Sequence, residues 1–182
     1  PFGDPSDPIV LGRLSGVRCA FLPRHGRGHR YLPGEVPSRA NLYALKSLGV
    51  ERVVGVGAVG SLKEALAPRH FVVPDQVFDR TKARPSTFFG DGIVAHVGVD
   101  QPFCVSLAEE VARAGEAVGA TVHRGGTYVC IEGPRFSTRA ESHWFARQGF
   151  TLINMTGYPE AVLARELEMC YAAIALVTDL DA

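Results

Sequence analysis

Between Phe21 and Arg30 the chain reads FLPRHGRGHR, with three Arg and two His beside two Gly. Arg24 offers a planar fork of N–H donors and His25 a further donor, while Gly26 and Gly28 let a ligand approach the backbone closely. That is chemistry suited to a phosphate or a carboxylate. A solvated basic turn is the plain alternative. His25-x-x-x-His29 is a poor metal site, because that spacing serves a metal best on a helix and Gly and Arg disfavour one here. Near the other end, TDLDA sets Asp179 and Asp181 two apart, on one face of a strand. Close carboxylates split their titrations, and one that keeps its proton near neutral pH is a general acid. A solvated acidic turn accounts for the same residues.

Three further segments fall where strands give way to loops. GVGAVGS, containing Gly57 and Ala58, either permits close packing or forms a backbone floor beneath a ligand. It is neither GxGxxG with a downstream acidic residue nor a phosphate loop with its Lys. IEGPRFS brings Phe136 and Ser137 after a Gly-Pro turn, and an aromatic there stacks on a flat ring or fills the core. NMTG supplies Asn154, Met155 and Thr156: a soft apolar surface beside a hydroxyl that suits an anion.

The elements that must position these residues follow from period and punctuation. PIVLGRLSGVRCAFLPR reads as two short strands around a Ser15-Gly16 turn. SRANLYALKSLG and PFCVSLAEEVARAGEAVG carry helical spacing and stop at Gly49 and Gly119. TRAESHWFARQG opens with a Thr138/Glu141 capping box, and PEAVLARELEM has Pro159 at its first helical position. RVVGVGAVGS, FVVPD, GTYVCIEGP, TLINMTG and YAAIALVTDLDA read as strands. Residues 80–98 form a long polar loop of the kind that is often functional. Alternating strands and helices imply one α/β domain with a mostly parallel sheet. In such sheets ligands sit beyond the carboxyl ends of strands, where all five segments converge.

Composition narrows the partners. Of 182 residues, 46% are hydrophobic and 21% charged, and 19 basic residues balance 19 acidic ones. A neutral chain of this kind argues against a nucleic-acid or membrane-surface binder, and no run is long and apolar enough to span a bilayer. The four Cys (Cys19, Cys104, Cys130, Cys170) form no CxxC pair and stand mostly in apolar contexts. They are expected to be reduced core residues of a cytoplasmic protein.

PRHGRGH, GSLKEALAPRHFVVPDQVFDRT, IEGPRFSTRAES, INMTGYPEAVLARE and VTDLDA, in this order, resemble 5′-methylthioadenosine phosphorylase, a trimeric branch of the purine nucleoside phosphorylase superfamily. The resemblance runs over essentially the whole chain. It implies a single domain at residues 1–182 with a twisted, mostly parallel mixed sheet flanked by helices. It also implies phosphorolysis of 5′-methylthioadenosine to adenine and 5-methylthioribose 1-phosphate, with inorganic phosphate as co-substrate and no metal or organic cofactor. Carried over motif by motif, Arg24, His25, Gly57, Ala58 and Thr156 would hold phosphate. Phe136, Ser137, Asn154 and Met155 would line the nucleoside, and Asp179 and Asp181 would act on the leaving purine. His96 would reach the pocket of a neighbouring subunit in a homotrimer with shared active sites.

Departures from the family pattern set further expectations. The N-terminal Gly-rich phosphate loop and the C-terminal helical segment are absent from 1–182, so both ends of the natural protein are expected to be missing and this chain alone inactive. Gly57 stands where members commonly carry Ser or Thr. Gly157 resembles the branch that cleaves methylthioinosine, whereas Asp179 should favour a 6-amino purine because a carboxylate accepts from an amine. The alternatives are a 5′-methylthioinosine or general purine nucleoside phosphorylase, a water-using nucleosidase, and a non-catalytic purine-binding homologue.

Overall fold

In the computed structural model, which describes residues 1–181, β1 (Val10–Leu14) and β2 (Val17–Phe21) pair antiparallel, Val10 opposite Phe21. Ser15 and Gly16 turn between them with φ of 49° and 83°. Two positive-φ residues match the right-handed twist of a tight hairpin, which is why a Gly follows the Ser there. This hairpin stands apart from the main sheet.

Helix α1 (Ser38–Ser47) buries Ala40, Leu42 and Leu45 and ends before Gly49 at φ 78°. β3 (Arg52–Ser61), β4 (Phe71–Val73) and β5 (Gln76–Arg80) follow, then α2 (Val105–Ala117), closed by Gly119 at φ 81°. β6 (Val122–Arg124) and β7 (Thr127–Ile131) lead to α3 (Arg139–Arg147). The expected capping box is present: Glu141 N–H donates to Thr138 Oγ1 at 3.2 Å, and Thr138 N–H donates to Glu141 Oε2 at 2.6 Å. β8 (Leu152–Asn154), α4 (Gly157–Glu166) and β9 (Cys170–Leu180) complete the order. Tyr158 is extended at φ −117°, ψ 134°, so the regular turns of α4 begin at Pro159, as its fixed φ suits.

The main sheet has the order β5-β7-β8-β3-β9-β4-β6. Four neighbouring pairs are parallel, while β3–β8 and β4–β9 are antiparallel. The mostly parallel mixed sheet flanked by helices is thus as the sequence implied. β5 and β6 were not anticipated. β5 is an edge strand whose QVFDR is largely exposed, and β6 has 3 residues, too few for a period. One core cluster packs Leu42, Leu45, Phe103, Leu163 and Tyr171; another packs Val59, Val72, Tyr128, Leu152 and Val177.

The reading of all four cysteines as reduced needs correction. Cys104 and Cys170 are joined by a disulfide, Cα–Cα 5.2 Å, across a sequence separation of 66. Spacing could not reveal it, because the pair forms only when the residue before α2 meets the first residue of β9. A backbone hydrogen bond from Cys104 to Tyr171 O at 2.8 Å fixes that meeting. Cys19 and Cys130 are free, and burial pushes the Cys130 thiol up to about 11, the state of an inert core cysteine. Closing a loop of 66 residues restricts the unfolded chain by about 4 kcal/mol. Reduction, or Cys104→Ser, should therefore lower unfolding free energy by up to that amount in denaturant titrations run with and without dithiothreitol. Identical midpoints would mean the bond contributes nothing.

Candidate active site

A cleft of about 500 Å³ opens at the strand ends. It is lined by Arg24 and His25, by a floor of Gly57, Ala58, Asn154, Met155 and Thr156, and by Phe136, Ser137, Asp179 and Asp181, with Arg24 bound to Val56 of β3 and Asp181 to Ser61 further along that strand. Eleven of the residues singled out from the sequence therefore share one cavity. His96 does not line it; it lies in an exposed stretch.

The basic loop is held by its own turns. Gly26 N–H donates to Pro23 O at 2.8 Å and Arg30 N–H to His25 O at 2.8 Å, with Gly26, Gly28 and His29 all at positive φ. Its three Arg go separate ways. Arg27 and Arg30 pair with Asp7 at 3.7 and 3.4 Å, while Arg24 turns into the cleft wall. There Arg24 Nη1 lies 3.1 Å from Glu160 Oε2 and Nη2 donates to Val56 O at 3.0 Å. Tyr171 Oη donates to the same Glu160 oxygen at 2.6 Å. Burial works against the Arg24 charge, but Glu160, helped by Tyr171 and Tyr128, outweighs it and holds Arg24 above its ordinary pKa. Burial, then Glu160, pushes the Tyr171 phenol well up, so it is a fixed donor. A Cβ at Gly55 would strike the Tyr171 hydroxyl, which explains one of the glycines of GVGAVGS.

His25 Nδ1 lies 2.9 Å from Tyr31 O. A carbonyl only accepts, so Nδ1 carries the proton and Nε2 is the ring atom left for a ligand. His29 stacks on His25, centroids 4.3 Å apart and 9° from parallel.

The floor is tied by Asn154. Its Oδ1 accepts from Thr156 N–H at 2.7 Å and from Thr156 Oγ1 at 2.8 Å, and its Nδ2 donates to Ala58 O. Asn154 therefore lines the cleft but spends its amide joining β8 to β3, a scaffold role that the sequence did not disclose. Gly57 has room for a Cβ, which would stand 3.7 Å from Asn154 Nδ2 and 3.8 Å from Thr156 Oγ1. Gly157 has none, since its Cβ would meet the Tyr128 ring, with Cδ1 at 3.0 Å. The glycine at 157 thus answers to packing.

On the acidic side the ladder between β3 and β9 slips: Val59 faces Val177 and Gly60 faces Asp179, leaving Thr178 as the extra residue. Bulges re-aim side chains near sites. Asp179 Oδ1 accepts from Thr178 Oγ1 at 2.6 Å. Asp181 Oδ2 accepts from Ser137 Oγ at 2.9 Å and from Ser142 Oγ at 2.5 Å. The two carboxylates, both lining the cleft, thus have separate side-chain partners. Phe136 is 79% exposed, which removes the core alternative and leaves an aromatic at the mouth of the cleft.

Glu160, Tyr171, Ser142 and Arg84 were missed. A signal existed for Glu160, because a buried Arg requires a counter-charge and Glu160 is the carboxylate in the first turn of α4.

Two measurements follow. Glu160→Gln leaves the Arg24 charge without its partner in a setting where their side chains are 17% and 11% exposed, and should cost roughly 3–5 kcal/mol in urea unfolding. A loss under 1 kcal/mol would mean the pair is solvated. For His25, burial, then the His29 and Arg24 charges, outweigh the Tyr31 contact and put the folded pKa below the usual 6.5. The stability from keeping His25 neutral is full above 6.5 and lost as pH falls through the folded value. An NMR titration of the free protein should give a His25 midpoint below 6.5, and a midpoint above it would reverse the sign.

The family model of the phosphorylase superfamily matches residues 1–182. An S-methyl-5′-thioadenosine phosphorylase of Gloeobacter violaceus is 60% identical over the whole chain, which spans 62% of its length. The chain spans 63% and 64% of two further curated relatives of that name. Among solved structures, a methylthioadenosine phosphorylase from an antarctic soil metagenomic library is 56% identical with TM-score 0.98, covering all of this chain and 64% of its own. A mutant adenosine/methylthioadenosine phosphorylase from Schistosoma mansoni in complex with methylthioadenosine is 40% identical with TM-score 0.97, covering all of this chain and 71% of its own. With a match over every residue and these relatives, the chain belongs to the phosphorylase superfamily.

Proposed function

We propose that the protein carries out phosphorolysis of 5′-methylthioadenosine, giving adenine and 5-methylthioribose 1-phosphate. The observation that carries this reading is a single cleft lined by Arg24 and His25, by Asp179 and Asp181, and by the exposed ring of Phe136. Breaking an N-glycosidic bond builds positive charge on the ribose and negative charge on the base. A phosphate dianion on the Arg24 side faces the first, and an acid near N7 answers the second. Phosphate oxygen attacks the anomeric carbon, the bond to the purine nitrogen breaks, and the purine gains, through Asp179 at N7, the proton that hydrogen phosphate gives up on becoming the sugar 1-phosphate.

In this reading Arg24, His25 Nε2, the Gly57–Ala58 backbone and Thr156 hold phosphate, and the Thr156 hydroxyl turns its proton from Asn154 to the anion. Phe136 and Met155 flank the nucleoside. Asp179 accepts from the exocyclic amine, while Ser137 and Ser142 fix Asp181 beside it. No metal or organic cofactor enters the reaction. The homotrimer belongs to the same proposal, with exposed His96 reaching a neighbour's cleft. The exposed apolar residues of the β1–β2 hairpin and of residues 93–99 support an assembly. A cytoplasmic location is also proposed. No helix among the described residues is long and apolar enough to cross a membrane, while the Cys104–Cys170 bond counts against a reducing compartment.

The test follows base release from 5′-methylthioadenosine and 5′-methylthioinosine by the full natural protein, each with and without phosphate. Phosphate-dependent adenine release is expected. Asp179→Asn should cost the 6-amino substrate roughly ten- to a hundred-fold in kcat/KM and move preference toward the 6-oxo one. Release without phosphate would make the protein a nucleosidase, and unchanged preference in Asp179→Asn would sink the role given to that carboxylate.

A further inference from the structure

Arg84, in the long loop after β5, has a side chain only 4% exposed, yet it lines no wall of the cleft. Its five N–H groups are absorbed by the ends of two strands and a helix. Nη1 donates to Met155 O at 2.6 Å and to Tyr158 O at 2.8 Å. Nη2 donates to Ile131 O at 3.2 Å and to Glu132 O at 2.8 Å, and Nε to Glu132 Oε1 at 3.2 Å. The Glu132 carboxylate in turn accepts from Lys82 N–H. Burial opposes its charge, but Lys82 and Arg84 together hold it below the usual carboxylate range.

The sheet explains why a guanidinium is needed here. β7 and β8 stay in register through Cys130 opposite Asn154 and then part to open the cleft. Past that point the carbonyls of Ile131, Glu132 and Met155 have no partner across the β7–β8 seam, Tyr158 enters α4 with non-helical backbone, and such part-buried carbonyls must find donors. One planar fork supplies them all. Ile131 and Met155 line the cleft, and Thr156 follows directly.

We propose that Arg84 is a positioning residue for the reaction: it fixes the spacing between the Ile131–Phe136 wall and the Met155–Thr156 floor, and through it the distance between base and phosphate. The proposal rests on the nucleoside and phosphate reading of the cleft. Lysine cannot replace Arg84, because an ammonium is a point charge on a flexible stem and cannot reach four carbonyls in fixed directions.

The experiment compares Arg84→Lys and Arg84→Met in the full natural protein with Arg124→Met, whose arginine ties α2 to β6 through Glu109 and Glu116 away from the cleft. Assays run well below the lowest Tm of the set. Both Arg84 variants should lose kcat/KM for the nucleoside on the order of 10²-fold, as small misplacements do, and raise KM for phosphate as well. Arg124→Met should move Tm alone. Arg84 variants with lowered Tm and wild-type kinetics would overturn the proposal. If neither variant folds, Glu132→Gln loosens the clasp while keeping the guanidinium; a smaller loss in the same two parameters is expected, and unchanged kinetics overturns the idea. Wild-type protein without phosphorolysis would defeat the functional reading alone. Calorimetry with adenine and with inorganic phosphate then decides on Arg84, weaker binding of both to Arg84→Lys supporting it and equal binding overturning it.

Discussion

Each wall of the cleft hangs on the backbone of one strand, β3. Arg24 donates to Val56 O, Asn154 to Ala58 O and Thr178 Oγ1 to Val59 O, while Asp181 N–H reaches Ser61 O. β3 itself is locked by parallel pairing with β9 from Arg52–Cys170 to Ser61–Leu180. A shift in β3 would therefore move the basic side, the floor and the acidic side together. Its glycines serve that crowding. Gly55 leaves space for the Tyr171 hydroxyl, and at Gly60 a Cβ would sit 3.1 Å from both Asp181 Cβ and Ile153 Cγ2. In GVGAVGS the packing reading applies at Gly55 and Gly60, while Gly57 and Ala58 line the cleft.

The electrostatics of the cleft run against a simple picture of a positive pocket. Arg24 is already matched by Glu160, His25 is kept toward neutrality, and Arg27 and Arg30 are spent on Asp7. Two carboxylates, Asp179 and Asp181, line the same cleft as Arg24 and His25. In the proposed reading, an anion is selected here by aimed donors in fixed places rather than by excess charge. The buried ion pair fits that purpose better than it fits stability, since the desolvation of both groups offsets most of their attraction. What the pair does supply is direction: Glu160 and Val56 O together hold the guanidinium in one orientation.

Local rules made much of this legible. The Thr138/Glu141 box, the stops at Gly49 and Gly119 and the Ser15-Gly16 turn are decided by neighbours in sequence, and each is present. The convergence of five strand-end segments was also visible, because the topology of α/β sheets dictates it. What sequence could not show depends on partners far along the chain. Cys104 meets Cys170 and Arg84 meets the ends of β7 and β8 47 to 71 residues away, and no local pattern marks either. The bulge at Thr178 is equally silent in the sequence; it precedes Asp179, so Asp179 and Asp181 keep their i, i+2 spacing and both line the cleft.

In the proposed reading, the choice of base rests on fewer residues than the sequence suggested. Gly157 is required by the Tyr128 ring, so packing alone accounts for that glycine. Tyr128 is itself immovable, buried and with its phenol pushed up by burial. The acidic side is different in kind. Asp181 is clamped by two serines, whereas Asp179 is exposed and, among the described residues, has only its neighbour Thr178 as a side-chain partner. An acceptor with lone pairs to spare can still respond to a ligand, and a clamped one cannot. Discrimination by hydrogen bonding should therefore fall to Asp179, with Asp181, Ser137 and Ser142 holding the wall on which it stands.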